Sequence, residues 1–153
     1  MRTATKIFSL ISAFLLIANL IGQSTSEADR VIGTWLSEEG KAKIQIYKKG
    51  NKYYGKIIWL KEPYDENGKP KVDKNNPDPE KRNRPLIGLV ILKDFVYDPE
   101  DKEWEDGTIY DPESGNTYDA YMWFEDNDYN TLYLRGYIGF SLIGRTSKWT
   151  RVE

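Results

Sequence analysis

From Val31 onward the chain is a succession of short runs rich in β-branched and aromatic residues, broken every few positions by turn residues. No stretch carries an apolar stripe of helical period long enough to form a helix, so the pattern confines the chain to an all-β fold. Residues 41–48 place Ala42, Ile44 and Ile46 on one face, Lys49-Gly50-Asn51 supplies a tight turn, and residues 52–60 return as the second strand of a hairpin. A second hairpin joins residues 107–111 to residues 117–125 through Pro112-Glu113-Ser114-Gly115-Asn116. Residues 126–129 turn the chain into residues 131–138, and residues 140–152 form one last strand or a pair. The apolar run 86–92, bounded by Pro85 and Lys93-Asp94, reads as a buried strand with a bulge at Gly88. Seven to nine strands with connections this short predict a single antiparallel up-and-down β-barrel or a small sandwich. Closure is preferred because it leaves no exposed edge. One long loop interrupts the pattern: residues 61–85 hold five of the seven prolines and no strong strand signal.

The ends of the β-rich region bear on closure. Gly33-Thr34-Trp35 opens the first strand, and the last carries Arg145, Trp149 and Arg151. This resembles the lipocalins and their relatives, in which a Gly-x-Trp is covered by an arginine from a late strand. The resemblance implies a lipocalin-like barrel, with Trp35 and Arg145 expected as the sealing pair.

Ahead of the β region, Arg2 and Lys6 precede an apolar run over 7–21 and the small residues Gly22, Ser24 and Ser26. The run is shorter than the roughly 20 residues a membrane-spanning helix needs, so residues 1–26 read as a signal peptide and residues 27–153 as one domain. Processing after Ser26 is preferred to processing after Ser24. The expected location is periplasmic or secreted, with no membrane span in the mature protein. Without the signal, 20 cations face 24 acids for a net charge of −4, which gives no electrostatic reason to expect nucleic acid or an anionic membrane as a partner. The chain has no cysteine, so its core must hold without disulfides even in an oxidising compartment.

The same composition removes much catalytic chemistry. With neither histidine nor cysteine there is no His-based triad, no thiolate nucleophile and no histidine- or sulfur-ligated metal. Asp106 and Asp111 are the candidates for a carboxylate pair that cleaves a glycoside, but both read as solvated turn acids. Asp73-Lys74-Asn75-Asn76-Pro77-Asp78 and Asp65-Glu66-Asn67-Gly68 bear oxygen ligands, yet neither follows the calcium-loop spacing, and Asx turns explain them as well. No catalytic residue, metal or cofactor is assigned.

Eleven tyrosines and five tryptophans are the positive signal, because both side chains join apolar area to a polar tip. Alternation over 131–138 sets Leu132, Leu134, Gly136 and Ile138 against Tyr133, Arg135 and Tyr137. Over 117–125 it sets Tyr118, Ala120, Met122 and Phe124 against Asp119, Tyr121, Trp123 and Glu125. If the aromatic, charged face lines a cavity, Arg135 anchors an anion; if it points outward, the same residues form a surface patch.

Taken in order, several motifs resemble the bacterial family called domain of unknown function 2147. They are Gly33-Thr34-Trp35, the segment 54–60, Asp73 with Asn76-Pro77, Arg84-Pro85-Leu86-Ile87-Gly88, and 107–112 with Gly115 and Tyr118. Leu134-Arg135-Gly136-Tyr137 and Gly144-Arg145-Thr146 with Trp149-Thr150-Arg151 complete the set. The resemblance implies an exported bacterial domain without an assigned activity. Members often carry cysteines in the first hairpin; here Tyr47 and Tyr54 stand in that region. The specified residues of the long loop point to a shaped segment. The leading expectation is an exported binding protein for a small apolar or amphipathic molecule, held at one mouth of the barrel. Tyr110, Tyr118, Arg135 and Tyr137 would be wall or anchor residues, with Asn76 and Arg84 near the rim. The alternative is an envelope module that binds a glycan or a protein through outward aromatics; a carboxylate-based glycan hydrolase comes third. Ligand identity and oligomeric state stay open.

Overall fold

The computed structural model describes residues 25–153, with the side chains at 140–142 outside the description. All but the last two residues of the signal segment lie outside the described residues. Eight strands follow in sequence order: β1 (Gly33–Leu36), β2 (Ala42–Lys49), β3 (Lys52–Leu60), β4 (Val90–Asp98), β5 (Glu103–Asp111), β6 (Asn116–Glu125), β7 (Asp128–Ile138) and β8 (Phe140–Arg151). Each pairs antiparallel with its neighbour, and β1 pairs with β8, closing the barrel as the short connections predict. Local chemistry sets the turns. Gly50-Asn51 links β2 to β3 with Lys49 opposite Lys52, while Asp126 and Asn127 both take positive φ in the two-residue connection of β6 and β7.

Two expected boundaries move. The apolar run 86–92 is only partly strand: a backbone bond from Leu89 N to Leu86 O and a φ of 94° at Gly88 make 86–89 a turn, so β4 starts at Val90. It then continues past Lys93-Asp94 because Asp94, at φ 63°, forms a bulge that returns Phe95 to the interior. Likewise β5 begins at Glu103 rather than 107, since the register shift between Trp104 and Gly107 lets both residues face inward.

The core follows from alternation. Trp35, Ile44, Ile46, Tyr53, Leu92, Phe95, Trp104, Ala120, Met122, Leu132 and Leu134 are each almost wholly buried. Packing fills the section around Phe95: a Cβ added to Gly107 would lie 2.4 Å from the Phe95 ring, so glycine is what lets the ring cross the barrel.

A 3-10 turn at Glu27–Val31 packs across one end of the barrel. Ser26 caps it through its hydroxyl, which accepts from Asp29 N. The turn is tied to the strands beneath it: Trp104 Nε1 donates to Ala28 O at 3.0 Å, Trp35 Nε1 to Val31 O at 2.9 Å, and the Tyr53 hydroxyl to Asp29 at 2.6 Å. The arginine over Trp35 is Arg151, not the expected Arg145. Its Cζ stands 4.2 Å from the ring centroid, and its nitrogens donate to the carbonyls of Tyr129, Ile32 and Arg30. Register decides the assignment: Arg151 lies opposite Trp35 across the closing pair, whereas Arg145 lies opposite Gly136 toward the other end and pairs with Glu38 at 3.2 Å.

Candidate functional site

The long loop is shaped around one carboxylate. Asp73 is fully buried. Its Oδ1 accepts from the Tyr110 hydroxyl at 2.6 Å, and its Oδ2 accepts from Asn76 Nδ2 at 2.8 Å and Arg84 Nη2 at 3.2 Å. Main-chain pairing supports the same fold-back, with Asp73 N donating to Arg84 O and Val72 bridged to Pro85. Asn75 Nδ2 bonds the carbonyls of Pro112 and Glu113, fastening the loop to the tip of the β5–β6 hairpin. Burial alone would raise the Asp73 carboxyl, but the bonds from Tyr110, Asn76 and Arg84, with the Arg84 charge, outweigh it and hold it below the ordinary aspartate value. Tyr110 is pushed up to about 12 by burial first and then by its bond to Asp73. With both oxygens of Asp73 engaged by protein donors, this segment is a structural hub.

Fastened in this way, residues 84–90 form one wall of a cleft of about 570 Å³ on the outside of the barrel. Arg84, Pro85, Ile87, Gly88, Leu89, Val90 and Lys93 line that side, facing Tyr47, Lys49 and Tyr54 from the first hairpin. Tyr47 and Tyr54 are directly opposed on β2 and β3 and stack with centroids 5.8 Å apart and planes at 23°. Strand alternation puts them outside, because Ile46 and Gly55, their neighbours in the chain, face the core. The Tyr54 hydroxyl is tied to Asp94 at 2.9 Å, and Lys56 Nζ lies 5.7 Å from the Tyr47 ring centroid. The result is an apolar and aromatic cleft with cations at its edge, a combination suited to holding a small molecule.

The six residues expected to bind ligand fall into three places. Asn76, Arg84 and Tyr110 meet at Asp73, and of these Arg84 also lines the cleft. Tyr118 lies on the inner face toward the end opposite the 3-10 turn: a Cβ on Gly136 would approach Ile109 at 3.3 Å and the Tyr118 Cβ at 3.6 Å. Arg135 and Tyr137 point outward, because Leu132 and Leu134 take the buried positions of β7. Arg135 Nη1 bonds the Thr146 hydroxyl beside it on β8 at 3.0 Å.

Tyr137 belongs to an outer row. Its ring is 6.0 Å from that of Tyr121, Tyr121 is stacked 5.3 Å from Trp123, and Trp123 is stacked 5.4 Å from Tyr133. Lys148 Nζ sits 5.4 Å from the Tyr133 centroid. Ring faces are therefore largely spent on one another, along β6 between Tyr121 and Trp123 and across to β7 between Trp123 and Tyr133.

Carboxylates collect at the β4–β5 hairpin, where Asp98, Asp101 and Glu105 approach within 4.8 Å. Burial, then the charges of Asp98 and Asp101, raises Glu105. Asp98 Oδ1 accepts from the turn amides of Glu100 and Asp101. Asp106 sits exposed at the β5 bulge with φ 58°, and Asp111 accepts from Glu113 N and the Ser114 hydroxyl, so the two serve as bulge and turn residues.

Sequence reasoning missed Tyr47, Lys49, Tyr54, Ile87, Leu89 and Lys93 as cleft residues, and Asp73 as the hub. One signal was available: in a hairpin with Ile44 and Ile46 inside, Tyr47 and Tyr54 must share the outer face beside Lys49.

A closed eight-stranded up-and-down barrel capped at one end by a 3-10 turn and sealed by an arginine over a Gly-x-Trp tryptophan is a lipocalin-like domain. A solved structure titled "Protein HP1028 from the human pathogen Helicobacter pylori belongs to the lipocalin family" is similar, with a TM-score of 0.69 and 24% identity over 80% of this chain and 83% of that one. The chain belongs to the family described as "Uncharacterized protein conserved in bacteria (DUF2147)", which matches residues 33–151. No curated protein matches it.

Proposed function

We propose that the protein is exported and, in the periplasm or outside the cell, binds a small, partly apolar molecule in the cleft between the first hairpin and residues 84–90. The observation that carries this reading is the cleft itself: stacked tyrosines on one side, Pro85, Ile87 and Leu89 on the other, and about 570 Å³ between them. The packed section around Phe95 favours this place over the barrel interior. Asp73, Asn76 and Tyr110 are positioning residues that hold the wall, and Arg84 is both wall and anchor. Native mass spectrometry of the protein purified from an envelope into which it is exported tests the reading. A stoichiometric adduct lost on Tyr54→Ala supports it, and adduct-free protein that binds no small molecule in solution refutes it.

A second reading draws on the outward direction of Arg135, Tyr121, Trp123, Tyr133 and Tyr137: an envelope module that docks a glycan or protein on the β6–β7 face. Retention on peptidoglycan or envelope extract that is abolished by Trp123→Ala and untouched by Tyr54→Ala would favour it. The mutual stacking of those rings, which leaves edges more than faces to a sugar, makes it the lesser reading.

A further inference from the structure

We propose that the cleft selects an organic anion: an apolar body seated on Tyr47, Tyr54, Ile87 and Leu89, and a carboxylate or phosphate head held among Lys49, Lys93 and Arg84. This rests on reading the cleft as the binding site and specifies the class of its ligand. Three cations and no acid line it. Among the described residues Lys49 and Lys93 form no ion pair, unlike the neighbouring Lys48, which meets Asp29 at 3.1 Å, and Lys52, which meets Asp94 at 3.9 Å. Asp29 of the 3-10 turn and Asp94 of β4 are thus engaged by other lysines of the first hairpin. Arg84 spends Nη2 on Asp73 and keeps the remaining donors of its fork, on a side chain 44% exposed. An arginine fixed by a buried carboxylate is pre-organised for a second planar anion, and two exposed lysines supply charge around it. Ile87, 48% exposed, extends the apolar wall toward solvent. The protein as a whole is acidic, so this concentration of positive charge is local and not a general property of its surface.

Isothermal titration of the mature protein with decanoate, decyl maltoside and decyltrimethylammonium, each below its aggregation concentration, tests the inference. Decanoate is expected to bind about tenfold more tightly than the neutral amphiphile, and the cation more weakly still. Lys49→Glu with Lys93→Glu is expected to weaken decanoate about tenfold and leave decyl maltoside unchanged, with an unaltered melting temperature because neither lysine makes a native ion pair. About 0.5 M salt is expected to narrow the difference. Co-sedimentation with phosphatidylglycerol and phosphatidylcholine vesicles separates the sources of the head group. Lysine-dependent binding to the anionic vesicles alone, without binding of free decanoate, places the anion on a lipid surface and upholds the anion selectivity. Equal affinity for all three amphiphiles overturns the selectivity while leaving the cleft as a binding site. Binding of none, in solution or on vesicles, overturns both.

Discussion

Arg151 covers Trp35 with its guanidinium carbon 4.2 Å from the ring centroid, and a Cβ on Gly33 would stand 2.5 Å from that guanidinium. Glycine, tryptophan and arginine are thus one steric unit: the glycine makes room for the arginine, which joins β8 to the segment ahead of β1 through the carbonyls of Arg30 and Ile32 and to β7 through that of Tyr129. Arg151→Ala is expected to lower stability by about 3 kcal/mol, because those carbonyls and the ring face lose their partner together. Arg145→Ala is expected to change it by less than about 0.5 kcal/mol, as its pairs with Glu38 and Glu39 are exposed. Urea unfolding of the two variants distinguishes them.

Removing Asp73 leaves the Tyr110 hydroxyl, the Asn76 amide and Arg84 without their shared acceptor. Asp73→Ala is expected to cost about 2–3 kcal/mol and to free residues 72–85, read as faster hydrogen exchange there than in β6 and β7. Because the hub holds the cleft wall, ligand affinity is expected to fall with it.

The pH dependence has a definite sign. Asp73 has a lowered pKa in the folded protein, so its contribution is fully present above the unfolded value of about 3.9 and is lost as pH falls through the still lower folded value. Loop protection is expected to be flat between about pH 5 and 8 and to collapse only below about pH 4. Exchange measured at pH 3 and pH 6 checks this, and Asp73→Asn should abolish the difference.

Gly107→Ala drives a methyl group into the Phe95 ring and is expected to cost more than about 2 kcal/mol. Phe95→Leu in the same background is expected to recover part of the loss, since the smaller side chain relieves the clash. Thermal melts of the single and double variants measure the coupling.

Much of this fold was legible because β structure writes its faces into alternate residues. Ile44 and Ile46 marked one face of the first hairpin, and the turn residues 50–51 and 126–127 set the connections; alternation separated the two faces of β7 without saying which lies inside, and burial of Leu132 and Leu134 turns the expected wall residues Arg135 and Tyr137 outward. Bulges were not legible. Asp94 and the pair Glu105-Asp106 break the alternation, so β4 and β5 run longer than their patterns predict. Arg145 and Arg151 sit on one strand in similar company, and only the pairing of β1 with β8 decides which reaches Trp35. For the site, Arg84, Asn76 and Tyr110 were picked out, but their meeting at Asp73 joins a loop to a strand 37 residues away, a contact no local pattern encodes.

The most direct test of the central claim follows the backbone amides of isotopically labelled protein by NMR as decanoate is added. Shifts confined to Tyr47, Lys49, Tyr54, residues 84–90 and Lys93 are the predicted result. Shifts gathered instead at Ile109, Tyr118 and Gly136 inside the barrel, or the absence of any shift with decanoate together with no binding to phosphatidylglycerol vesicles, would contradict it.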